Sequence, residues 1–86
     1  MNINELIAIV KNKLEKEIVM QDLKIEDKSF LHKNHKGNQV GKFHLKIIIN
    51  SDELAKISKI ESTKRVYNVL DIELKEYIHS IQILLN

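Results

Sequence analysis

The sequence predicts an α+β fold with elements in the order α-β-β-α-α-β, a three-stranded sheet with helices on one face. Apolar residues recur at helical spacing near the N-terminus and again after Ser58. Between Phe43 and Ile49 the spacing drops to two, the period of a strand with one face buried. Both glycines of the chain, Gly37 and Gly41, fall in the single segment 31–41 that has neither period.

Asn2 and Glu5 form a capping box, and Ile3, Ile7, Val10, Leu14 and Ile18 then follow at helical spacing, predicting a first helix over residues 3–17. In the next segment, Asp22 to Glu26, Leu23 and Ile25 alternate with Lys24 and Glu26, as in a half-buried strand. The glycine-containing segment is expected to be a loop joining this strand to the next. In the second strand Phe43, Leu45, Ile47 and Ile49 should face the core, with His44, Lys46 and Ile48 on the outer face. Ser51, followed by Asp52 and Glu53, caps a short helix to about Lys56. Ser58 and Glu61 open the longest helix, with a stripe of Ile60, Val66, Tyr67, Leu70 and Leu74. It is expected to end near Lys75, after about 25 Å at 1.5 Å per residue. The last segment, Tyr77 to Leu85, places His79, Ile81, Ile83 and Leu85 on one strand face and Ser80, Gln82 and Leu84 on the other.

Eighty-six residues accommodate one domain over 1–86, and a composition 43% hydrophobic and 30% charged is that of a globular chain. A core of this size leaves a net stability of only about 5 kcal/mol. Cysteine is absent, which excludes thiolate metal sites, disulfides and cysteine nucleophiles and leaves histidine as the soft ligand. The longest uninterrupted apolar run near the N-terminus, Leu6 to Val10, is too short for a signal or membrane-spanning segment, so a cytoplasmic protein without membrane association is expected. The net charge of +2 is small, but five lysines and no acid lie between Lys28 and Lys46.

Three of the four histidines, His32, His35 and His44, fall within thirteen residues, and His79 opens the last strand. Adjacent strands lie about 4.8 Å apart, so histidines at neighbouring strand ends and in the loop could meet one metal. The spacing matches no zinc signature, and a solvated basic turn and a strand-edge histidine explain the same residues. Asp52 with Glu53 and Asp71 with Glu73 read as capping and helix-surface charges. Gly37 and Gly41 match neither a P-loop nor a dinucleotide fingerprint, and no nucleophile with a positioned base stands out, so the protein is not expected to be an enzyme.

Three stretches, SFLHKNHKGNQVGKFHLKIIINSDEL, ISKIESTKRVYNVLDIEL and IHSIQI, together resemble the BolA family over residues 29–83. In that family a loop rich in His and Gly leads into a strand opening with histidine, matched here by His44, and Ser51 matches the serine that ends the strand. Val66, Tyr67 and Leu70 represent its helix pattern, and its characteristic last-strand histidine falls on His79. The resemblance implies a fold like class II KH domains and a heterodimer with a monothiol glutaredoxin, formed by a chain that is monomeric alone. The pair would share a [2Fe-2S] cluster bound by His79 and a second ligand from His32, His35 or His44, with the glutaredoxin cysteine and glutathione on the other side. No cofactor is expected in the isolated protein. The alternative implied by the transcription regulation and stress response attributed to relatives is DNA binding, with Lys33, Lys36, Lys42, Lys64 and Arg65 as candidate contacts. Against this, the turn LAKISKIES lacks the GXXG clamp of KH domains. Thr63 and Lys64 replace the family's usual His-Arg pair, Leu54 an aromatic, and Ser80 an alanine, the last expected to be without consequence.

Overall fold

The computed structural model describes residues 1–29 and 43–86. Elements follow in the order α1 (Ile3–Glu17), β1 (Asp22–Asp27), β2 (Phe43–Asn50), α2 (Asp52–Ala55), α3 (Lys59–Val69), α4 (Asp71–Glu76) and β3 (Ile78–Leu85). Strand β2 is central, antiparallel to β1 and parallel to β3. Among the described residues no helix is long and apolar enough to cross a membrane.

The caps form as the side-chain chemistry requires. The Asn2 side chain accepts the Glu5 N–H at 2.8 Å and its amide donates to the Glu5 carboxylate at 2.9 Å. Ser51 and Ser58 each accept an N–H three residues on, from Leu54 and Glu61, at 3.1 Å. Buried Ser51 also donates to the Val19 carbonyl at 2.7 Å, tying the exit of α1 to the end of β2.

The core is built from Leu6, Val10, Leu14 and Ile18, from Leu45, Ile47 and Ile49 of β2, and from Leu54, Val66, Leu70 and Ile78. Leu6 and not Ile7 fills the inward position of α1, because the buried positions 6, 10, 14 and 18 are each four apart and lie directly above one another. The expected stripe of the long helix shifts for a similar reason. Ser62, Val66 and Leu70 face inward, while Ile60 is 70% and Tyr67 42% exposed.

The expected single long helix is divided into α3 and α4. Leu70, with φ −100° and ψ 19°, leaves helical geometry between them, although neither glycine nor proline stands there. Fully buried Leu70 and the turn it makes keep both Val66 and Glu73 on the inner side. Glu73 is thus not a surface charge. It is 4% exposed, and its Oε2 accepts a hydrogen bond from the Lys13 ammonium at 2.7 Å, joining α4 to α1. Its Oε1 has no hydrogen-bond partner among the described residues.

Candidate functional site

Most of β3 keeps the period that the sequence predicts, with Ile81, Ile83 and Leu85 opposite Leu45, Ile47 and Ile49 and packed on the core. At its head the register shifts. Phe43 pairs with Ile78, but the next residue of β2, His44, pairs with Ser80, so His79 is one extra residue inserted against β2. Ile78 takes the core position, 3% exposed. His79 therefore does not share a face with Ile81 as strict alternation would require. It lies beside His44 on the outer side, because a bulge lets two consecutive side chains, His79 and Ser80, approach the same residue of the neighbouring strand.

The outcome is a small cluster at the heads of two parallel strands. The rings of His44 and His79 have their centroids 5.0 Å apart and meet edge to face, with 64° between their planes. His79 is exposed, whereas His44, on the outer face of β2 as expected, is only 4% exposed. Nδ1 of His44 lies 2.6 Å from the Ser80 hydroxyl. The backbone of His44 is held as well, its N–H donating to Ser29 Oγ at 3.1 Å and its carbonyl accepting from the Lys28 N–H at 2.7 Å. Ser80, expected to be without consequence, is thus in direct contact with a candidate ligand. The signal that marks it is its replacement of the usual alanine in the resemblance.

Next to the cluster a cavity of about 380 Å³ is lined by His44, Lys28, Lys46, Ser80 and Gln82. Glu26 borders this basic area, its two carboxylate oxygens each 3.5 Å from an ammonium, of Lys24 and of Lys28. Burial pushes the Glu26 carboxyl up, but the charges of Lys28 and Lys24 outweigh it and hold the group below its ordinary value.

The separation of the two ring centres meets the distance requirement of a shared ion. A metal bonded at about 2.1 Å to one nitrogen of each ring stands about 3.2 Å from each ring centre, which at roughly tetrahedral angles sets the centres about 5 Å apart. Among the described residues no group of three or more His, Cys, Asp or Glu side chains is placed to hold a metal, so an ion here would take its other ligands from outside that set. His32, His35, Lys33, Lys36 and Lys42 lie outside the described residues. Lys64 is exposed on α3. Arg65 is instead turned to the protein, donating to Glu53 at 3.3 Å and to the Glu17 carbonyl at 3.4 Å, where it joins α3 to α2 and the end of α1.

The family model for BolA-like proteins matches residues 14–86. The chain belongs to the BolA family. It is 33% identical over 73 residues to the DNA-binding transcriptional regulator BolA of Haemophilus influenzae, covering 85% of this chain and 68% of that protein. To SufE-like protein 1 of Arabidopsis thaliana, a chloroplast and mitochondrial protein, it is 30% identical over 79 residues, 86% of this chain but only 21% of that much longer one. The solved BolA domain of SufE1 from Arabidopsis thaliana superposes with a TM-score of 0.78 at 28% identity, covering 100% of this chain and 93% of the other. In BolA terms, the four helices and mixed three-stranded sheet of the described residues are the family's fold, and the bulge at His79 lies within the matched region.

Proposed function

We propose that this BolA-like protein is a non-enzymatic accessory component of iron–sulfur metabolism in the cytoplasm, which pairs with a monothiol glutaredoxin and lends histidine ligands to a shared [2Fe-2S] cluster. The observation that carries this reading is the His44–His79 pair, two imidazoles 5.0 Å apart with one of them exposed to a partner. A single cluster iron needs two ligands besides its sulfides, and this pair supplies that number. The glutaredoxin cysteine and a glutathione thiol would serve the other iron. With histidine in place of thiolate the cluster carries less negative charge and a higher potential, as in Rieske centres, which suits sensing or transfer. The basic surface of Lys28 and Lys46 beside the pair suits the carboxylates of glutathione or an acidic partner face. The resemblance to a domain of a SufE-like protein agrees with this assignment.

The test is a titration of a glutaredoxin, loaded with iron, sulfide and glutathione, with this protein. Formation of the mixed complex changes the visible absorption and dichroism of the glutaredoxin's own cluster, and His79→Ala abolishes the change. A His79→Ala protein that titrates like the wild type removes the reading.

A second reading, DNA binding, is favoured by the name of the Haemophilus influenzae relative. It would use Lys64 and the lysines at 33, 36 and 42, with Arg65 less available because of its pairing with Glu53. DNA affinity that falls with salt in proportion to the phosphates neutralised supports it, and a flat, weak response at physiological salt rejects it.

A further inference from the structure

We infer that the open edge of β3 pairs antiparallel with the β3 of a second copy of this chain, joining two three-stranded sheets into one of six strands about a two-fold axis at Ile83. The isolated chain is then a dimer and not the monomer that the resemblance implies. The pairing is independent of the cluster assignment, since it uses residues 81–85 and leaves the His79 end of the strand outside it.

The two edges of the sheet are built differently. β1, DLKIED, is six residues long with four of them charged, and Lys24 and Glu26 form an ion pair along it. Charges on a short edge strand keep other strands away. β3, IHSIQILL, is eight residues long and contains no Asp, Glu, Lys, Arg or Pro. Among the described residues it pairs with β2 alone. An uncharged edge of this length accepts another strand. Its open hydrogen-bonding groups follow from the ladder. Asn86 directs its N–H to the Ile49 carbonyl of β2, and backbone groups alternate in direction along a strand. Leu84 and Gln82 therefore also turn toward β2, while Ile81, Ile83 and Leu85 turn their N–H and C=O groups to the open edge.

A second copy fits this edge in a register that uses all three residues. With Ile83 opposite its own symmetry mate, Ile81 stands opposite Leu85 of the second copy and Leu85 opposite Ile81, so the three pairs exchange about six hydrogen bonds. The same residues are only half-buried, beside fully buried Ile47 and Ile49, and their side chains join into one apolar layer across the axis. On the outer face Leu84, 37% exposed, comes opposite Gln82 of the second copy and diagonal to its Leu84. No like charges meet in the pairing, because the strand carries none. Growth stops at two copies, since the six-stranded sheet presents only the charged β1 at either edge. The two His79 residues fall at opposite ends of the paired stretch, about 27 Å apart along the strands.

Five paired residues make a small interface, so association is weak and is read over a range of concentration. In sedimentation equilibrium of the full chain up to about 1 mM, the average mass is expected to rise from 10.1 kDa toward twice that value and no further. Leu84→Lys and Gln82→Lys, both at exposed outer positions, put an ammonium on the edge of each copy and should weaken the dimer about 10-fold, with the amide spectrum showing the fold unchanged. The chain has no cysteine, so introduced thiols report the register. In a mixture of Gln82→Cys and Leu84→Cys chains the two positions are directly opposite, with Cα atoms about 4.5 Å apart, within reach of a disulfide. The mixture should cross-link faster than a Val19→Cys control, whose position is 69% exposed and outside the sheet. A mass that stays at 10.1 kDa to the highest concentration overturns the inference and leaves the proposed function standing. A mass that climbs past two copies, a dimer that both lysine variants leave intact, or a mixture that cross-links no faster than the control overturns it as well.

Discussion

From Ile81 to Leu85, β3 alternates half-buried and exposed side chains in step with β2, whereas from Ile78 to Ser80 the alternation stops and two consecutive polar residues approach His44. The first half behaves as burial alone dictates, since every second residue packs on the core. The second half gives up a step of the hydrogen-bonded ladder and gains two side chains at one spot. Bulges that re-aim side chains are common beside functional sites. Here the irregular half holds the polar chemistry and the regular half holds the sheet together. Stability and function should therefore respond to mutation in different halves.

The largest effect is expected in the regular part. Ile47, fully buried at the centre of β2 between Ile25 and Ile83, should cost about 2–5 kcal/mol when replaced by alanine, enough to unfold much of a domain this small. His79→Ala should change stability by no more than about 0.5 kcal/mol, because the residue is exposed and unpaired in the ladder. Urea denaturation of both variants measures the contrast. Equal losses would mean that the bulge residue is structural.

A deletion of His79 attacks the comparison directly. With the extra residue removed, Ile78 and Ser80 become neighbours and can pair with Phe43 and His44 in unbroken register. The amide spectrum of residues 81–85 is expected to persist, at a cost of about 1 kcal/mol, while the dichroism change with glutaredoxin disappears. Loss of the β2·β3 pairing in this variant would show that the insertion is needed to bring Ile81, Ile83 and Leu85 onto the core.

The same division separates what the sequence discloses from what it does not. Caps at Asn2, Ser51 and Ser58 and the period-two run of β2 depend on neighbours a few residues apart, so the elements were legible from local pattern. Tertiary decisions were not. Nothing local distinguishes Leu6 from Ile7 as the inward residue, marks the turn at Leu70, or places Glu73 under the Lys13 ammonium of a helix 60 residues away. At the candidate site the histidines at 44 and 79 were identifiable by type and by family resemblance. Their adjacency was not, because it depends on a register shift between strands joined only through three intervening helices. Periodicity read without that shift puts His79 on the wrong face and leaves Ser80 with nothing to do.

The smallest expected effect concerns the regular outer face one step along from the histidines, where Glu26 pairs in register with Lys46 and is flanked by Lys24 and Lys28. Because the two flanking ammonium groups hold the folded-state carboxyl below its ordinary value of 4.5, the unfolded chain binds the proton more readily. Stability linked to Glu26 is then fully present above about that value and is lost as the pH falls through the lower folded-state value. Glu26→Gln removes this contribution at neutral pH and has none to lose in acid. The gap between wild-type and variant urea midpoints should therefore be open at pH 7, with the wild type the more stable, and narrow toward pH 3. A Glu26→Gln gap of constant size across that range would mean that the carboxylate acts there through packing or hydrogen bonding and not through its charge.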